Sequence, residues 1–163
     1  MSHLKHASRS GTHLSQAMPG YRGYSGTKVA HRTDRIFSEE ILSKLSDAVA
    51  TSSRIRRQAG TELDADMVSS LAAIEEKAES LAQTVAETAY DDAAGSPEHG
   101  AGGQVVSLDS SILEKIGSIN QALSTLDLEA GTGVSSDEMD SICDLLDDLR
   151  NLIRRRSTML NGR

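Results

Sequence analysis

The sequence predicts an all-α protein: two tandem antiparallel helical hairpins forming a four-helix bundle, with an extended N-terminal arm. Three observations predict it. Apolar residues recur at helical spacing in four separate runs. The 163 residues include only two Pro, one Phe, three Tyr and no Trp, which leaves a core of Leu, Ile, Val and Ala. A short turn is also used twice: Gln58-Ala59-Gly60-Thr61 returns 71 residues later as Glu129-Ala130-Gly131-Thr132.

The offset of 71 holds beyond the turn. Phe37, Ile41, Leu42 and Leu45 fall on Leu108, Ile112, Leu113 and Ile116, and Leu71, Ile74, Ala78 and Leu81 fall on Ile142, Leu145, Leu149 and Leu152. Apolar positions coincide without a gap, as in a duplicated unit. Gly after an amphipathic run supplies the left-handed residue that ends a helix, and Thr beside it can cap the next one.

The chain divides into an extended basic arm (1–35), a first hairpin (36–90), a Gly-rich linker (91–106) and a second hairpin (107–163). The arm is rich in Ser, Gly and His and has no apolar period, so it cannot order itself by burial. Its contacts are assigned to Arg9, Tyr21, Arg22, Tyr24 and Lys28, reaching neighbouring subunits or nucleic acid. Arm and body are expected to be energetically separate.

The first helix is predicted over 38–58, with Phe37 stapled onto Leu42 and a seam of Ile41, Leu45, Ala48, Ser52 and Ile55. Arg54, Arg56 and Arg57 crowd its end, where cations suit the macrodipole. The second, over 61–90, keeps heptad spacing through Met67, Leu71, Ile74, Ala78, Leu81 and Val85. It is expected to overhang the first. Gly, Ser and Pro stop both helix and strand in the linker. The third helix, over 109–129, carries Ile112, Ile116, Ile119, Leu123 and Leu126, with Asp109 near its start. The fourth, over 136–157, has a wider stripe of Ile142, Leu145, Leu146, Leu149, Leu152 and Ile153, opened by acids and closed by Arg154-Arg155-Arg156.

Charge is divided unevenly. Lys5, Arg9, Arg22, Lys28, Arg32 and Arg35 stand against Asp34 alone in the arm, while the whole chain carries −7. A basic arm on an acidic body suits an acidic neighbour or a polyanion. No run approaches the ~18 apolar residues of a membrane span. Lys5 is not followed by an apolar core, so no Sec-type signal peptide is expected.

Catalytic and metal signatures are not found. His3-x-x-His6 lies in the arm without further ligands, and Glu75, Glu76 and Glu79 lack the accompanying Glu-x-x-His of a di-metal bundle. Cys143 has Asp140, Asp144 and Asp147 within helical reach, and acidic neighbours raise a thiol pKa. Gly100-Ala101-Gly102-Gly103 follows no strand and precedes no Lys-Ser/Thr, so it is no phosphate loop. The His residues sit in the arm, at its edge or in the linker, which leaves a Ser–His relay without a fixed base.

The expectation is therefore a non-enzymatic structural protein without cofactor or metal. It would be a helical subunit of a large complex, such as a phage or viral particle, associating with itself or other protein subunits. Met67, Leu71, Val85, Leu146 and Ile153 are its predicted protein interface, because one neighbouring helix cannot cover both wide stripes. One alternative is a secreted or filament-forming helical protein whose unstructured N-terminus serves as an export signal. Another is a nucleic-acid-associated protein using the basic arm, against which the acidic body would repel phosphate.

Overall fold

A computed structural model describes residues 11–59, 65–88, 101–129 and 136–161. Among these residues the fold is helical, with no strand. A short helix α1 spans 11–17. Four long ones follow: α2 (Thr27–Ala59), α3 (Ala65–Glu87), α4 (Ala101–Glu129) and α5 (Ser136–Asn161). None is long and apolar enough to cross a membrane. The repeated turn glycines, Gly60 and Gly131, and the arm residue Arg9 lie outside the described residues.

The four seams form one core. Ile41, Leu45, Ala48, Ser52 and Ile55 of α2 are buried, as are Leu71, Ile74, Ala78, Leu81 and Val85 of α3. Ile112, Ile116, Ile119, Leu123 and Leu126 of α4 join them, with Ile142, Leu146, Leu149 and Ile153 of α5. Fully withdrawing one of these Leu, Ile or Val side chains from water contributes about 1.5–3 kcal/mol.

Each helix has two neighbours: α2 packs on α3 and α4, and α5 packs on α3 and α4. Within each hairpin the helices are antiparallel. Between hairpins they are parallel. The Asn120 amide donates to the Lys44 carbonyl at 3.0 Å and Arg54 pairs with Asp127, so α2 and α4 run the same way. Lys77 with Asp147 and Arg150 with Ser80 set the same relation between α3 and α5. The two hairpin connections therefore share one end of the bundle.

Three sequence expectations change. First, α2 starts at Thr27 rather than Ser38, because Ala30, Asp34 and Phe37 continue its seam N-terminally. Polar Thr33 and Asp34 sit buried there and conceal the apolar period. With 33 residues against 23, α2 outruns α3, which reverses the predicted overhang.

Second, the described part of the arm is not separate from the body. Leu14, Met18, Tyr21 and Tyr24 are buried in the common core. Gly20, Gly23 and Gly26 all take positive φ, so the chain turns at every third residue of Gly-Tyr-Arg-Gly-Tyr-Ser-Gly. That repeat aims both tyrosines inward. Third, α4 begins at Ala101 inside the predicted linker, with Val105 and Val106 buried. Gly102 lets Tyr24 come close: a Cβ there would lie 3.5 Å from the Tyr24 carbonyl oxygen.

The residues predicted for a protein interface pack within one chain. Leu71 and Leu146 are fully enclosed in one chain, and Val85 and Ile153 nearly so. Met67 is partly buried against the same core. The square arrangement gives each long helix two main partners, which bury Ile142, Leu146, Leu149 and Ile153 of the α5 stripe and leave Leu145 and Leu152 partly covered.

Candidate functional site

The concentrated chemistry of the described residues lies at the end of the bundle opposite the hairpin connections. Three seams there continue into charge. Asp34 is one heptad before Ile41, Asp109 three residues before Ile112, and Arg156 one heptad after Leu149. All three are buried and meet where α2, α4 and α5 converge.

Arg156 is the centre. Its Nε donates to Asp109 Oδ1 at 2.5 Å and its Nη2 to the Tyr24 hydroxyl at 2.5 Å. The same Nη2 stands 2.8 Å from Asp34 Oδ1. The guanidinium carbon lies 4.3 Å from the Phe37 ring centroid and 5.7 Å from that of Tyr24. An aromatic face holds a desolvated cation well. Tyr21 and Tyr24 both donate to Asp109 Oδ2, at 2.7 and 2.6 Å, and their rings meet edge to face. Asp109 thus accepts three charge-assisted hydrogen bonds across its two oxygens.

Burial pushes the Asp109 carboxyl above its usual range, against the pull of Arg156 and the two phenols. Burial opposes the charge on Arg156, but Asp109, Tyr24 and Asp34 outweigh it and hold the cation firmly. Tyr21 is raised far above the ordinary phenol value, first by burial and then by the Asp109 charge. Tyr24 is raised by burial and by Asp109, with Arg156 opposing.

The cluster is a polar lock: it fixes the Tyr21–Tyr24 turn onto three helices. Of the predicted arm contacts, Tyr21 and Tyr24 belong to it, while Arg22 and Lys28 are exposed nearby. Arg22 N–H reaches the buried Thr33 hydroxyl at 3.4 Å. Asp109, Asp34, Phe37 and Arg156 were not read as site residues. The signal that would have found the charges is their phase: each occupies a seam position. Among the described residues no three His, Cys, Asp or Glu cluster as a metal site. Cys143 is half-buried, and burial raises its thiol; Lys77 opposes this, while Asp140, Asp147 and Asp144 add to it.

The buried phenols give a pH signature. Their folded pKa lies above the unfolded value of 10.0, so the stability they contribute is whole below that pH and falls as pH rises beyond it. In a Tyr90→Phe background, phenolate absorbance is expected only together with loss of helical circular dichroism. A phenolate step near pH 10 in a fully helical protein would contradict the buried placement. No protein-family model, curated protein or solved structure matches the chain.

Proposed function

We propose that this chain is a non-enzymatic structural subunit that joins its neighbours end to end, in a filament or a larger particle such as a virion. The observation that carries the reading is the division of surface charge by end. At the tyrosine end Arg22, Lys28, Arg32, Arg154 and Arg155 are exposed and Arg35 pairs with Glu39; the unpaired cations outnumber the other exposed acids there, Glu87 and Glu114. At the other end Asp66, Asp137, Glu138, Asp140 and Asp144 are exposed against Arg57, while Arg54 and Arg56 are engaged by Asp127 and Glu75. A filled bundle with opposite charge at its ends suits head-to-tail contact, which builds rings or filaments according to the rotation between copies.

Sedimentation velocity tests this. Association is expected at low ionic strength and its loss near 1 M salt, where screening shortens to about 3 Å. Arg32→Glu with Arg35→Glu should weaken it at low salt without loss of helix. A monomer at every ionic strength would overturn the reading.

The Lys28, Arg32 and Arg35 stripe of α2 also supports a second reading, contact with a phosphate backbone. Salt-sensitive retardation of duplex DNA by a protein that stays monomeric would favour it. The export-signal alternative loses support between residues 11 and 26, which pack against the bundle instead of standing unstructured.

A further inference from the structure

We propose that residues 11–26 are an exchangeable arm, which docks in its own chain or in the same groove of a second copy. The inference rests on the self-association reading only in taking another copy as the partner; the contact itself is a different one.

The receiving groove is built without the arm. Asp34 and Phe37 come from α2, Val105, Val106 and Asp109 from α4, and Arg156 from α5. When the tyrosines leave, Arg156 keeps its contacts with Asp109 and Asp34, so no buried charge is orphaned. Water can then replace the two phenols on Asp109.

The arm's grip is made by side chains. Tyr21 and Tyr24 bind Asp109 Oδ2, and Gly11 and Gly23 lie against Val106. Its backbone–backbone bonds are local, from Met18 N–H to the Leu14 carbonyl and from Tyr21 N–H to the Met18 carbonyl, and its backbone reaches the body through Arg22 N–H on the Thr33 hydroxyl, an acceptor every copy also presents. Any copy presenting the same Gly-Tyr-Arg-Gly-Tyr turn meets the same acceptors, the basis of swapping between identical chains. Gly26 links the arm to α2. It has positive φ and open space around it, so a change of direction there meets no side chain.

Cross-linking tests the exchange. A Cβ built on Gly102 lies 3.8 Å from the Tyr24 Cβ, a separation that suits a disulfide. In a Cys143→Ser background, Tyr24→Cys together with Gly102→Cys should close a disulfide within one chain. Chains carrying one substitution each, co-expressed, should yield the mixed disulfide in excess over either like pair. Its yield should be unchanged at high salt, which separates it from charge-driven association at the ends. A second pair, Gly11→Cys and Val106→Cys, leaves both tyrosines intact and should behave alike, since the Cβ built at Gly11 lies 4.0 Å from Val106 Cγ1. Closure only within doubly substituted chains, with no mixed disulfide from either pair, overturns the exchange. So does failure of both doubly substituted chains to close. Loss of salt-dependent association with the mixed disulfide retained would overturn end-to-end joining alone.

Discussion

Asp109→Ala is expected to lower folding stability by about 3–5 kcal/mol, because it breaks a buried ion pair from one side. Arg156 would keep only Asp34 as a counter-charge, and the Tyr21 and Tyr24 hydroxyls would lose their shared acceptor. Urea unfolding followed by circular dichroism reads the loss. Removing the cation instead should give a pH-dependent defect. In Arg156→Met, Asp34 and Asp109 remain buried without the guanidinium, and burial already raises Asp109. Its folded pKa then rises further above the unfolded one. The variant's deficit is therefore small below the ordinary carboxylate range and grows as pH rises through it toward the folded pKa. Arg156→Met should be close to the parent near about pH 4 and most impaired near about pH 8. An equal deficit at both would show that the carboxylates are not what the arginine compensates. Replacing Asp34, Asp109 and Arg156 together by apolar residues should be far milder than either single change, since a well-packed apolar substitute often matches a buried ion network.

Val85→Asp is expected to unfold the chain, and Leu71→Ala to cost about 2–5 kcal/mol. Leu71 is fully enclosed, and Val85 is only 6% exposed. A carboxylate at Val85 would enter an aliphatic core with no designed partner. The stripe widths alone suggested the opposite for Val85: a chain that stays folded and merely loses association. The difference is decided by α2, which begins at Thr27 and runs past the end of α3. Thermal unfolding of both variants checks it. A Val85→Asp protein with parental stability would return that residue to an interface.

The seams were legible because aliphatic residues repeat with the helical period whatever surrounds them. Ile41, Leu45, Ala48, Ser52 and Ile55 were placed correctly, Ser52 included, from spacing alone. The cluster was not legible, for a physical reason. A charged residue in a seam reads as a helix end, since charge is rarely buried without a partner. Here the partners come from other helices. Arg156 looked like the last of three dipole-satisfying arginines, and Asp109 like a residue near a helix start. The tyrosine turn read as part of an extended arm that only neighbouring subunits could order, because composition was weighed and its three-residue Gly-Tyr repeat was not. Its order depends on Asp109, which is 85 residues from Tyr24 in the chain. Local pattern cannot supply such a partner.

The Arg156–Tyr24 bond joins residues 132 positions apart. Neither hairpin contains both groups, so neither can form the bond while folding alone. The cluster closes only once the two halves have met. Interactions that form after the rate-limiting step leave the speed of folding nearly unchanged and slow unfolding instead. In the timing of folding, the lock is expected to act as a clasp: Tyr24→Phe should leave the folding rate nearly unchanged and speed unfolding, and an equal slowing of folding would place the cluster in the transition state.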